Sequence, residues 1–196
     1  MKKIMFNDRY GLTKAVLEGR KTMTRRFISE DVWQRADVYR DKYYEDTLDW
    51  LPGKKALIEV SPFKVGEVVA VAQRYKDIRD IIGDIQDGKS IKSMAGWNNK
   101  MFVSADLMPH QIRITNIRVE MLKNISEEDC FREGIYKKTL CPPGDIDYFY
   151  HSEPSSKWEV YPSACEAFAG LIDKVSGKGT WESNPWVFVY GFELVK

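Results

Sequence analysis

Eight consecutive residues, Gly19-Arg20-Lys21-Thr22-Met23-Thr24-Arg25-Arg26, set an amine, two hydroxyls and four cationic side chains on one short stretch. Cations grouped this way hold anions such as phosphate. Lys21 has a second use, because its proton is negotiable. A lysine just past a helix C-terminus meets unpaired carbonyls that favour its charged form, whereas burial favours the neutral amine. The plainer role for these residues is that Arg20 and Lys21 complement a helix dipole while Arg25 and Arg26 are solvated.

The elements on either side position this run. Leu12, Ala15 and Val16 fall at helical spacing, and Gly19 supplies the left-handed residue that ends a helix. Thr22-Met23-Thr24 then suits the start of a strand. Lys21 and Thr24 are three apart, so in an uninterrupted strand they would face opposite ways; sharing a site requires Lys21 to lie in the turn.

The chain of 196 residues is long enough for one elaborated domain with a closed core. Thirty basic and twenty-nine acidic residues leave a net charge of +1. No global field draws such a chain to a long duplex, so nucleic-acid contact has to be local. Cys130, Cys141 and Cys165 are odd in number and lack CxxC spacing, which argues against a disulfide framework or a zinc knuckle and fits reduced thiols in a cytoplasm. With His110 and His151 the only histidines, no metal site is expected. The start Met1-Lys2-Lys3 leads into a short mixed segment, and neither a signal peptide nor a membrane span is expected.

Ile4-Met5-Phe6 reads as a first strand. Val32, Ala36, Tyr39 and Tyr43 predict an amphipathic helix, broken by Leu51-Pro52-Gly53, within an insertion over 27–60. Val65 to Ala72 reads as a central strand covered on both faces. Residues 76–105 read as a second insertion; its stretch 76–100, with Gly83, Gly88 and Gly96, predicts a long loop with at most a short helix at Asp77 to Ile82, a candidate lid or rim. Gln111 to Met121 alternates strictly apart from a phase slip that a β-bulge near Thr115-Asn116 would absorb. Ser126 predicts the cap of a two-turn helix stopped by Gly134, with Glu133 in its last turn, where the dipole disfavours a carboxylate. Residues 136–161 read as a turn-rich excursion containing Cys141-Pro142-Pro143-Gly144, and the third insertion extends over 136–180. Ser163 and Glu166 open a helix that stops near Gly177, and Pro185 to Leu194 closes the chain as a strand. Strands without regular βαβ alternation predict an α+β fold: a small, partly closed mixed β-barrel of about five or six strands with short helices and helical insertions.

Four stretches together resemble the ASCH family: Gly19 to Arg26, Val65-Gly66-Glu67-Val68, Ile125 to Ile135, and Asn184 to Tyr190. The chain is similar in particular to its long members in bacteriophages and mobile elements. The resemblance implies a PUA-like barrel acting on RNA or nucleosides. One small bacterial branch shares the Gly-Arg-Lys-Thr-x-Thr-x-Arg run and is an amidohydrolase that removes acetyl from 4-acetylcytidine. By that similarity Lys21, Thr24 and Glu133 are the implied catalytic residues, with Lys21 as base and Thr24 as nucleophile or water-orienting hydroxyl. Glu133 would shuttle a proton to the leaving amine, and Arg20, Arg26 or a backbone amide would hold the oxyanion. No cofactor is implied.

Two other classes compete. In a non-catalytic RNA- or nucleotide-binding module, Arg20, Lys21, Arg25 and Arg26 contact phosphate while Trp97 or Tyr75 stacks on a base. In a phage-associated interaction module, the aromatic insertions dock a protein partner.

Overall fold

Five strands carry the architecture: β1 (Lys3–Ile4), β3 (Val68–Val71), β6 (Gln111–Met121), β10 (Trp186–Leu194) and β2 (Met23–Phe27), hydrogen-bonded in that order. They are seen in a computed structural model that describes residues 1–38, 53–139, 146–150 and 159–195. β1 runs parallel to β3, and every other pair is antiparallel. The α+β class expected from the sequence is observed. Among the described residues the edges β1 and β2 do not pair with each other, so closure of the sheet into a barrel is not seen.

The phase slip in β6 has the expected cause. Gly191 pairs with Asn116 and Phe192 with Ile114, which leaves Thr115 as the extra residue of a bulge. Ile112, Ile114, Ile117 and Val119 are all buried as a result. A Cβ on Gly191 would stand 3.3 Å from the Thr115 hydroxyl, a tight contact that the glycine avoids at this crossing.

β3 is buried on both faces, and each face serves a different core. Val69 and Val71 join the main core, whereas Ala70 and Ala72 join a second cluster with Tyr75, Ile78, Ile91, Val103 and Met108. That second cluster corrects the expected long loop. Residues 75–108 fold as α4 (Tyr75–Ile82), a hairpin of β4 (Ile85–Gln86) and β5 (Lys89–Ser90), and four 3₁₀ turns. Lys100 clasps this unit to the body by donating to Asp8 Oδ1 at 2.7 Å and to the Phe6 carbonyl.

In the 27–60 insertion, α2 (Glu30–Val38) buries Val32 and Ala36, and α3 (Lys54–Glu59) packs on β6. Tyr39, Tyr43, Leu51 and Pro52 lie outside the described residues. The excursion expected at 136–161 contains a second sheet, β7 (Tyr136–Thr139), β8 (Ile146–Tyr150) and β9 (Glu159–Tyr161), antiparallel throughout. Cys141 to Gly144 and His151 lie outside the described residues. The helices α1 (Leu12–Leu17), α5 (Glu127–Arg132), α6 (Ala164–Ser176) and α7 (Thr180–Ser183) complete the fold. Ser126 and Ser163 cap α5 and α6 as expected, accepting from the amides of Asp129 and Glu166. Among the described residues no helix is long and apolar enough to cross a membrane.

Candidate functional site

Gly19, at φ +71°, lets the chain double back over the end of α1, where the amides of Arg20 and Lys21 both donate to the Ala15 carbonyl at 2.9 Å. The Thr22 amide then donates to the Arg132 carbonyl at the end of α5, before β2 begins at Met23. Lys21 therefore lies in the turn, not in the strand. The parity objection disappears: Lys21 and Thr24 line one cavity together with Glu133.

Gly134 does for α5 what Gly19 does for α1. Its φ of +106° ends the helix, and a Cβ there would sit 3.5 Å from Leu12 Cδ2 and 3.9 Å from Lys21 Cβ. The two helix ends thus meet closely. Lys21 (2% exposed) reaches Glu133 (4% exposed), its Nζ donating to Oε2 at 2.5 Å and to the Glu133 carbonyl at 2.8 Å.

Glu133 has a second cationic partner. Arg25 Nη1 donates to its Oε1 at 3.1 Å, while Arg25 Nη2 donates to Glu120 at 2.7 Å and to Asp129 at 3.0 Å. Arg118 donates to the same Asp129 oxygen at 2.6 Å. Three cations thus face three carboxylates beneath the sheet, which is how so many charges tolerate burial. Burial works against the charge of Asp129, but Arg118 and Arg25 outweigh it and hold the carboxyl below its usual range. Burial likewise opposes the charge on Arg25, and Glu133, Glu120 and Asp129 more than restore it.

Lys21 comes out the other way. Burial pushes its pKa down from 10.5, and attraction to Glu133 recovers only part of the loss. Arg25 keeps Glu133 paired whether or not Lys21 carries a proton.

The cavity is about 140 Å³, floored by Lys21, Thr24 and Glu133 and walled by Phe6, Phe168 and Leu171. That is below the size of typical drug-sized sites, and suits a single ring or acyl group. Arg26 also lines it, donating to the Met5 carbonyl with its guanidinium 5.7 Å from the centre of the Phe6 ring.

The other two expected ligand-binding arginines differ from it. Arg25 also lines the cavity, but its Nη1 and Nη2 are held by three carboxylates, so it braces the site. Arg20 turns away from Lys21 into a separate cleft of about 670 Å³, where Glu18 accepts from its Nε and Nη2 at 2.9 and 2.7 Å and its guanidinium lies 4.4 Å above the Tyr136 ring. Of the aromatics that the binding reading would stack on a base, Tyr75 is buried with its hydroxyl accepting from the Ser104 amide, and Trp97 packs on the second core, the plainer role its residue type favours.

Sequence reasoning missed Asp129, Glu120 and Arg118. One signal was available: Asp129 and Glu133 are four apart and so share a helix face. The pairing of β2 with positions 95 to 108 residues further on had no local sign. Comparison with known protein families, curated proteins and solved structures gives no match to this chain.

Proposed function

We propose that this chain is an ASCH-type protein with a PUA-like barrel arrangement, acting on RNA or nucleosides, and that its pocket hydrolyses the amide of an N-acylated cytidine. The observation that carries the reading is the meeting of Lys21, Thr24 and Glu133 in one ring-sized cavity, with Lys21 Nζ 2.5 Å from the Glu133 carboxylate.

In this mechanism the neutral Lys21 amine takes the Thr24 hydroxyl proton as Thr24 Oγ1 attacks the acyl carbon. Arg26 stabilises the oxyanion, since it lines the cavity without a carboxylate partner among the described residues, whereas Arg25 is bonded to Glu133, Glu120 and Asp129. Collapse breaks the C–N bond, and Lys21 returns the proton to the departing cytosine amine. Water, deprotonated by Lys21, then attacks the acyl-threonine; the C–O bond to Thr24 Oγ1 breaks, Lys21 returns the proton to that oxygen, and the acid is released. Glu133 already accepts from Lys21 and Arg25, so we assign it the positioning of Lys21 in place of the proton shuttle expected from the resemblance.

The test is incubation with 4-acetylcytidine under chromatographic detection of cytidine. Turnover by the wild type that is lost in Lys21→Met and Thr24→Val supports the reading. An inactive wild type, or full activity in Lys21→Met, defeats it.

A second reading, a non-catalytic binder of single-stranded RNA, draws on the larger cleft. Arg9, Lys14, Arg20 and Arg74 line it against Asp8 and Asp77, with Tyr136 beside Arg20. A cationic groove with an arginine stacked on an aromatic ring suits a phosphodiester strand and its bases. Affinity for a short oligocytidylate that does not change with salt would remove it.

A further inference from the structure

Outside the pocket, the thiols of Cys130 and Cys165 face each other across a helix contact that the proposed chemistry leaves unused. Cys130 lies buried in α5, and Cys165, partly exposed, lies in the first turn of α6. Their sulfurs are 3.8 Å apart and both are free thiols. That is van der Waals contact, and a shift of about 2 Å brings them to disulfide bonding distance. Both helices also build the pocket: Glu133 caps the C-terminus of α5, three residues past Cys130, and Phe168 and Leu171 extend from α6.

We propose that Cys130 and Cys165 form a redox-modification site, at which a peroxide joins α5 to α6 by a disulfide and so locks two walls of the pocket. The exposed partner reacts first. The Cys165 thiolate attacks one peroxide oxygen, an S–O bond forms, the O–O bond breaks, and the leaving hydroxide is protonated to water. The Cys130 sulfur then attacks the Cys165 sulfenic acid, the S–O bond breaks, and the hydroxyl leaves as a second water with the Cys130 proton. Two thiols are oxidised and one peroxide is reduced. Burial raises the Cys130 thiol far above the ordinary range, which suits the second, resolving role better than the first. The effect on catalysis rests on the function proposed above, whereas the disulfide does not.

The experiment treats the full chain with hydrogen peroxide, removes the excess with catalase, and counts thiols after denaturation. The count is expected to fall from the three cysteines of the sequence to one and to return on addition of dithiothreitol. Peptide mapping is expected to join Cys130 to Cys165, and Cys165→Ser is expected to lose this link. A count that stays at three, a link that includes Cys141, or a loss that dithiothreitol does not reverse would overturn the proposal. The oxidised protein is further expected to hydrolyse 4-acetylcytidine about 10²-fold more slowly, as a displacement of about 1 Å at a catalytic group would produce. A mapped bond with unchanged turnover overturns the control of the pocket. Should the reduced protein hydrolyse nothing, the function falls while the thiol count and the map still decide the disulfide.

Discussion

Arg20 and Lys21 are neighbours in the chain, and they end in opposite kinds of environment. Arg20 lies in an open cleft, paired with Glu18 and stacked on Tyr136; Lys21 is sealed in a cavity about a fifth as large, against a carboxylate that Arg25 also holds. α1 is the shared wall, with Leu12 facing the small cavity and Thr13, Lys14 and Leu17 the cleft. The chain between α5 and β7 divides in the same way, with Glu133 lining the small cavity and Tyr136 the cleft. Position along the chain therefore says little about what a cation does here, and burial says much. Water screens the charges of the cleft, where an ion pair contributes little. In the cavity each charge depends on its partners, and the balance among them selects the protonation state.

The largest expected effect breaks that balance. Glu133→Ala leaves Arg25 short of one carboxylate and Lys21 with none, so urea denaturation is expected to show a loss of about 3–5 kcal/mol. Removing Glu18, the corresponding carboxylate of the cleft, is expected to change stability by under about 1 kcal/mol. Equal losses at the two positions would mean that the buried network has no special weight.

Next in size is catalysis. Thr24→Val keeps the shape of the side chain and removes the hydroxyl, and Lys21→Met keeps the length and removes the amine. Each is expected to lower turnover of 4-acetylcytidine by about 10²–10⁴-fold. Lys21→Met leaves Glu133 with Arg25, so its stability is expected to suffer less than that of Glu133→Ala. A Lys21→Met protein as unstable as Glu133→Ala would show that Arg25 does not neutralise Glu133 alone.

How much of this contrast the sequence carries follows from the range of each interaction. Gly19, the cap at Ser126, the bulge at Thr115 and the start of β2 are local, and propensity and periodicity expose them. The resemblance brought Glu133 to Lys21 across 112 positions, which no periodicity does. Arg25 was misjudged for the same reason: a cation in a basic run resembles a ligand-binding group until Glu120, Asp129 and Glu133 are seen to surround it. The second core was hidden because its apolar residues, from Ala70 to Met108, are spread among glycines and charges and recur at no single period. The β7–β9 sheet was hidden because its pairs, such as Tyr148 with Tyr161, cross stretches rich in turn residues.

A smaller effect sharpens the comparison through pH. The folded state holds Lys21 below 10.5, so between its lowered value and 10.5 the unfolded chain binds more protons than the native one. Stability from this group therefore rises as pH climbs through that window. Lys21→Met removes this pH dependence along with the amine. The wild type is expected to gain on the variant as pH rises toward 10.5, and turnover is expected to rise in the same direction as the neutral base accumulates. Parallel pH profiles of stability for the two proteins would mean that Lys21 keeps an ordinary affinity for its proton.

The smallest effect belongs to the cleft. Arg9→Ala and Lys14→Ala alter exposed side chains, so each is expected to change stability by no more than about 0.5 kcal/mol. What they alter is the counterion balance with a bound strand. Each phosphate contact on a single strand contributes about −0.7 to the slope of log affinity against log salt, so each substitution is expected to flatten the slope for oligocytidylate by about that amount. Thr24→Val is expected to leave the slope alone, because Thr24 lines the other cavity. A slope that responds to Thr24→Val and ignores Arg9 and Lys14 would merge the two cavities into one binding surface, and the division that Arg20 and Lys21 mark would then be one of shape without consequence for binding.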